Sequence, residues 1–228
     1  SDGFRTVFAA DEIYYVLAGT MMLSNPESGE LHRVATGEAA FFRRDTWHHA
    51  WNAGTDALRV IELFAPPPSQ GTSGAYARTR PNLTEFRYGR DDLLGHWPMA
   101  AARSQAEQTM TIVRDADLLW RLEGHERHTP VGILCSTEHL TVGKIRLLPG
   151  EHTEPKVHGG DESLYVLEGT VNLRVLGHPS PNWFELGPKD GGYVPQGTAH
   201  QYYNMTGVPT EIIFGVAPSY LPNSEAAG

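Results

Sequence analysis

Glu12-Ile-Tyr-Tyr-Val-Leu-Ala-Gly-Thr20 returns 150 residues later as Glu162-Ser-Leu-Tyr-Val-Leu-Glu-Gly-Thr170. Tyr15 matches Tyr165, Val16 matches Val166, Leu17 matches Leu167 and Gly19 matches Gly169. Further on, His48 and Asn52 match His200 and Asn204 at an offset of 152, so two residues are added between the blocks, where a hairpin loop absorbs them. Ordered identities at a nearly constant offset indicate tandem duplication, and a duplication governs every local reading that follows. Within the second copy, Ala199-His-Gln-Tyr-Tyr-Asn204 reads as a strand with His200, Tyr202 and Asn204 on one face. Turn signals come in quick succession at Gly169-Thr170, Pro188-Lys-Asp-Gly-Gly192 and Pro195-Gln-Gly197. Short strands between such turns predict an all-β sandwich or barrel.

The stretch Ala65-Pro-Pro-Pro-Ser-Gln-Gly-Thr-Ser-Gly74 separates the copies and reads as a linker. Asp91–Gln108 is the best helical candidate in the chain, with Pro98 expected to interrupt it. Strand-like segments resume at Leu118–Leu122, Val131–Ser136 and Leu140–Leu148. The expected organisation is an N-terminal barrel over residues 1–66, a linker with a short helix over 67–109, and a C-terminal barrel over 110–228. Only eleven residues precede Glu12, against about forty residues of strand before Glu162. The opening strands of the first barrel are therefore either missing or supplied by residues 110–122, because an open strand edge invites aggregation.

Composition narrows the function classes. Hydrophobic residues make up 40% of the 228-residue chain and charged residues 20%, which suits packed cores rather than disorder. The formal net charge is −9 with no basic run, against nucleic acid or an anionic membrane as partner. The single cysteine, Cys135, lies in the apolar run Val131-Gly-Ile-Leu-Cys135 and reads as a small buried hydrophobe. No apolar run reaches the ~18 residues of a membrane helix. No signal peptide is visible, and the expectation is a cytoplasmic protein. Neither a phosphate-binding glycine loop nor a Gly-x-Ser-x-Gly elbow occurs.

The second copy reads Gly150, five residues, Lys156-Val157-His158, three residues, Glu162, six residues, Gly169. It continues with Pro195-Gln-Gly197, two residues, His200, three residues, Asn204. This pattern resembles the two sequence blocks of the cupin superfamily, and the repeat makes the chain resemble a bicupin. The blocks of that family read Gly, five residues, His-x-His, three or four residues, Glu, six residues, Gly, and then Gly, five residues, Pro-x-Gly, two residues, His, three residues, Asn. The resemblance implies two tandem jelly-roll β-barrels. It also implies metal ligation from the inner wall by His158, Glu162 and His200. Two departures stand out. Lys156 holds the slot of the first histidine, and Lys189 holds the slot of the glycine that opens the second block. The remaining set of two imidazoles and one carboxylate resembles the facial triad of non-haem iron enzymes and accepts Fe, Mn, Ni or Zn. One divalent transition metal is the expected cofactor. His152 and Glu154 share strand parity with Lys156 and His158, as candidate replacement ligands if the strand bulges. Tyr202 is expected to line the substrate pocket.

Three readings of Lys156 stay open: a general base, an anchor for a substrate carboxylate, and a structural ion pair with Glu162. In the first copy only Glu12 and His48 occupy ligand slots, with Thr6 and Phe8 in the His-x-His positions and Arg43-Arg44-Asp45 in place of Pro-x-Gly. This is expected to be a vestigial site in a structural or dimerising half, and the chain is expected to be a homodimer. The leading functional expectation is a metal-dependent enzyme acting on a small oxygen-rich molecule in the C-terminal barrel, leaning to Fe(II) dioxygenase chemistry. A sugar or hydroxy-acid isomerase or lyase using Lys156 as base is the first alternative. A non-catalytic small-molecule binding cupin is the second.

Overall fold

The fold is described from a computed structural model, over residues 4–66, 77–81 and 94–222. The expected linker 67–109 therefore lies partly outside the described residues. The chain divides into two compact units, Ser1–Ala116 and Asp117–Gly228.

In the first unit, β1 (Phe4–Phe8), β2 (Asp11–Ala18), β3 (Thr20–Asn25), β4 (Glu30–Ala35), β5 (Ala39–Phe42), β6 (His49–Asn52) and β7 (Arg59–Ala65) follow one another through short turns. A further strand, β8 (Ala77–Pro81), pairs with β1, so the linker contributes a strand as well as a helix. The helix, α1 (Met99–Ala106), begins directly after Pro98, which stands at its N-cap. Proline lacks an N–H, and the first N–H groups of a helix have no partner within it, so Pro98 starts the helix instead of interrupting it. The sheets run β7-β2-β5-β9 and β4-β3-β6, with β9 being Met110–Val113. Val16, Ala40, Phe42 and Met110 from the larger sheet meet Met21, Leu23 and Val34 from the smaller in one core.

The second unit holds β10 (Leu119–Glu123), β11 (Thr129–Ser136), β12 (Thr141–Leu147), β13 (Asp161–Glu168), β14 (Val171–Val175), β15 (Trp183–Leu186), β16 (Gly191–Val194), β17 (His200–Tyr203) and β18 (Thr210–Ala217). Its sheets run β10-β11-β12-β18-β13-β16 and β15-β14-β17. Val131, Ile145, Leu164, Val166, Ile212 and Phe214 from the large sheet pack on Val171, Leu173 and Tyr202 from the small one. Alternation along each strand delivers these residues to one side, as expected for two antiparallel sheets closing on a shared interior. Cys135 is buried in β11.

The duplication is visible in the backbone. β2 pairs with β5 and β7 as β13 pairs with β16 and β18, and a bulge follows Val16 in one copy and Val166 in the other. Thr6 bridges His48 as Lys156 bridges His200. Gly19 and Gly169 take φ of +81° and +71°, and a Cβ there would meet Ala57 O at 3.0 Å and Pro209 O at 2.4 Å. The left-handed backbone also persists where its glycine has gone. Lys189 has φ 76° against 85° for Gly37, and Asp45 has φ 62° against 75° for Gly197. Non-glycine residues rarely adopt this region, so the turn geometry outlasts the residue that favours it.

Residues 110–122 divide between the units. β9 pairs with β5, on the opposite side of the first sheet from β7, while β10 pairs with β11 in the second unit. Among the described residues, no strand stands beside the outer edge of β7, where the second unit places β12 against β18. The division at Ala116 rather than at residue 110 follows from the β9 pairing.

Candidate metal centre

Three elements of the second unit bring the predicted ligands together. Glu162 lies near the start of β13, His200 opens β17, and His158 lies in the segment between β12 and β13. All three are buried, with ligand atoms within 4.8 Å of one another. His200 Nε2 stands 2.8 Å from Glu162 Oε2, and His158 Nε2 stands 3.3 Å from the same oxygen.

The far side of each ligand is tied down. His158 Nδ1 lies 2.6 Å from the Tyr220 carbonyl and His200 Nδ1 lies 3.0 Å from the Thr198 carbonyl. A carbonyl only accepts, so each Nδ1 carries the proton and each Nε2 turns a lone pair toward Glu162. Tyr202 donates its hydroxyl to Glu162 Oε1 at 2.8 Å. This is the pattern in which outer partners fix the tautomer and direction of metal ligands. Asn204 secures the loop after β17 by donating to the Leu147 and Val208 carbonyls at 3.0 and 2.7 Å.

Glu162 Oε2 and His200 Nε2 are buried and have no partner in hydrogen-bond geometry. Two converging lone pairs in a dry site call for a cation between them. In the metal-free chain a second proton, on Nε2, can take the place of the cation, and imidazoles protonated in this way outweigh burial and hold the Glu162 carboxyl at about 2. The carboxylate is thus ready to bind metal without first losing a proton. Among the described residues, His158, Glu162 and His200 are the one group whose ligand atoms converge in this way. They fit a divalent transition metal, which they would hold by two imidazole nitrogens and one carboxylate.

Lys156 faces a different partner from the one considered in the sequence. Its Nζ donates to Glu123 Oε2 at 2.5 Å, both side chains being 12% exposed, and lies 3.5 Å from the Tyr220 hydroxyl. Tyr220 donates to Glu123 at 2.7 and 2.8 Å, and its ring packs on that of His158 at 4.6 Å. Burial acts to raise the Glu123 carboxyl, and Lys156 more than offsets it, leaving the group below its ordinary value. Glu123 and Tyr220 were not singled out in the sequence. Glu123 ends the weakly patterned strand β10, and Tyr220 lies beyond the last strand in Pro218-Ser-Tyr-Leu-Pro222, where no motif marks it.

Tyr202 is fully buried, with its hydroxyl committed to Glu162. Glu154 receives the backbone N–H groups of His125, Glu126 and Arg127, and His152 stacks on Tyr203 at 4.8 Å. Neither joins the ligand cluster.

In the first unit, Glu12 and His48 meet less closely, with His48 Nε2 3.8 Å from Glu12 Oε2. His48 keeps the outer contact of its counterpart, Nδ1 facing the Thr46 carbonyl at 3.1 Å. Burial depresses its imidazole to about 4 and raises the Glu12 carboxyl to about 9.

The cupin domain family matches residues 9–64 and 143–216, more than half of the chain and one block in each unit. The chain belongs to the cupin family. Its two units are tandem cupin domains of the jelly-roll type. No curated protein matches it. Among solved structures, a Bacillus subtilis oxalate decarboxylase aligns with a TM-score of 0.61 at 14% identity, covering 97% of this chain and 67% of that one. AerE from Microcystis aeruginosa aligns at 0.58 and 12% identity, covering 93% and 80%. Ylba from E. coli aligns at 0.59 and 10% identity, covering 92% and 69%. The oxalate decarboxylase has Mn(II) centres. At these identities the likeness is one of fold.

No helix among the described residues is long and apolar enough to cross a membrane.

Proposed function

We propose that the C-terminal cupin domain is the catalytic half of a metal-dependent enzyme acting on a small, oxygen-rich substrate. The observation that carries this reading is the convergence of buried lone pairs on His158, Glu162 and His200, each already oriented from behind. When bound, a divalent ion would polarise a carbonyl, enolate or carboxylate oxygen of the substrate, or hold O2 beside it. With three protein ligands it would retain open positions, and the two-imidazole, one-carboxylate set favours Fe(II) dioxygenase-type chemistry. The Mn(II) centres of the oxalate decarboxylase support a redox-capable first-row metal on this fold.

The remaining residues orient the reactants. Lys156, held by Glu123, keeps N–H capacity for an anionic oxygen of the substrate, since an ammonium has three donors. That engagement favours the anchoring role of Lys156 over the base, because a base needs a lone pair that a charged, ion-paired ammonium lacks. Tyr202 holds Glu162, and Tyr220 holds His158 while it steadies Glu123.

The test is nitric oxide binding to protein loaded anaerobically with Fe(II). Open positions on a three-ligand iron should give the S = 3/2 electron paramagnetic resonance signal of a ferrous–nitrosyl centre, lost in Glu162→Ala. Iron that binds at that centre without giving the signal would overturn the dioxygenase reading, and absence of metal binding would overturn the reading as a whole.

A further inference from the structure

The hairpin that carries Glu123 is held at its tip by a residue outside the metal centre. Among the described residues β10 is the edge strand of its sheet, and four of its five residues are exposed. Its last residue, Glu123, stands opposite Thr129 on β11, and residues 124–128 close the hairpin between them. Glu154 reaches this loop from the segment between β12 and β13. Its Oε1 accepts the N–H groups of His125, Glu126 and Arg127 in succession at 2.9, 2.6 and 2.7 Å, and its Oε2 accepts His125 N–H again at 2.9 Å. Successive N–H groups curled around one anion form a nest. Gly124 permits the curl, with φ +105° and a Cβ position that would run into Arg127 O.

Glu154 and the loop adjoin the two ends of one ion pair. Glu154 lies two residues before Lys156, and His125 lies two residues after Glu123, the partner of Lys156. The Lys156 side is framed by β17. Lys156 and His200 exchange backbone hydrogen bonds at 2.8 and 3.0 Å, and Thr153 N–H donates to the Tyr202 carbonyl at 2.9 Å. The Glu123 side has no such frame. No further strand lies beyond β10 among the described residues, and the loop and the Glu154 segment both line a cavity of about 600 Å3 instead of packing solidly together. Glu154 stays open to solvent, so hydrogen bonds and not burial hold it. The N–H of His125 first, then those of Arg127 and Glu126, set its carboxyl at about 2. In the first domain the corresponding positions are Phe4 and Thr6, so this carboxylate and the lysine are absent together.

We propose that Glu154 is a positioning residue for the substrate site of the C-terminal domain: by fixing the tip of the β10–β11 hairpin it sets Glu123 against Lys156, and so directs the ammonium that anchors the substrate. An ammonium on a flexible four-carbon stem takes its direction from its partner, and that partner is only as well placed as the strand end that carries it. A site is precise when supporting hydrogen bonds lock the groups behind those that touch the ligand. Glu154 supplies that support from the same segment that carries Lys156 and His158, so the ammonium and a metal ligand share one frame. The alternative is a carboxylate that only closes a turn, which would contribute stability without acting on Lys156. The inference rests on the reading of Lys156 as substrate anchor. Its test reads the ion pair itself, so it stands or falls separately from the metal chemistry.

The test follows the Lys156 ammonium by nitrogen-15 nuclear magnetic resonance in the full chain, loaded with diamagnetic Zn(II) and again without added metal. A hydrogen-bonded, largely buried ammonium exchanges slowly enough to give a resolved signal, which Lys156→Met identifies by its loss. Glu154→Ala should weaken the protection of the His125, Glu126 and Arg127 amides against hydrogen exchange by about 10-fold or more. It should also broaden or remove the Lys156 signal, as Glu123→Gln does. Glu154→Gln keeps the length and one acceptor oxygen, should give an intermediate result, and covers the case in which Glu154→Ala does not fold. The coupling of Lys156 with Glu123, from a double-mutant cycle of Lys156→Met and Glu123→Gln in urea, should fall at least about 3-fold in the Glu154→Gln background. Loss of loop protection with the Lys156 signal and the coupling unchanged would reduce Glu154 to a turn closure and overturn the proposal. A wild-type chain whose loop amides exchange freely, or that gives no Lys156 signal, would overturn it as well. The predicted effects in a chain that takes up no zinc would support it and count against the metal reading alone.

Discussion

Tyr202→Phe removes one hydroxyl and keeps the ring that fills the core of the second domain. That hydroxyl donates to Glu162 Oε1 at 2.8 Å, at a position with no access to water. A hydrogen bond to a charged group contributes about 1.5–3 kcal/mol, and no solvent can replace the lost donor. At about 1.4 kcal/mol per factor of ten, metal affinity should fall by roughly 10- to 100-fold. The carboxylate would also lose one of its restraints, so on and off rates of the metal should both change. Competition against a chromophoric chelator measures the affinity, and far-ultraviolet circular dichroism confirms that the barrel persists. Tyr202→Phe protein that binds metal as tightly as the wild type would refute the claim that Tyr202 holds the carboxylate for the metal.

Breaking the Lys156–Glu123 pair should cost stability in a way that a double variant reverses. Lys156→Met leaves a largely buried Glu123 with only Tyr220 and the more distant Arg121, and because those two remain it should cost measurable stability in urea unfolding, but less than the about 3–5 kcal/mol of a buried charge left wholly uncompensated. The additional Glu123→Gln change should recover most of that loss, and simple additivity of the two changes would deny the coupling. The low setting of Glu162 predicts an acid limit for the metal-free protein. A carboxyl at about 2 in the folded chain, against an ordinary 4.5, contributes stability that is fully present above pH 4.5 and lost as pH falls toward 2. Glu162→Gln should flatten that part of the stability–pH curve; a curve of unchanged slope would show that other carboxyls set it.

Much of this was legible in the sequence, and the reasons differ between elements. The repeat and the β class are carried by spacing, whereas His158, Glu162 and His200 were singled out through the resemblance to the cupin blocks, and the folded chain brings the three together. The turn at Pro188-Lys-Asp-Gly-Gly192 was legible, but the left-handed backbone at Lys189 was not, because the glycine that would announce it is absent. The partner of Lys156 was not legible. Glu123 lies 33 residues away, on a strand whose pairing with β11 follows from sheet topology and not from local pattern. Tyr220 acts on His158 partly through its carbonyl, which every residue carries, so no residue type could announce it. Pro98 was read as a helix breaker, although the same residue suits a helix start, and sequence position alone does not separate the two roles. Strand parity made Glu154 a candidate ligand, whereas its partners are the backbone N–H groups of residues 125–127, which no residue type announces.

The central claim is that His158, Glu162 and His200 hold one metal ion, and elemental analysis of the purified and reconstituted chain tests it most directly. The account predicts close to one first-row transition metal per chain, abolished by His200→Ala and unaffected by His48→Ala. No metal after reconstitution, or a second equivalent lost only with His48→Ala, would contradict it.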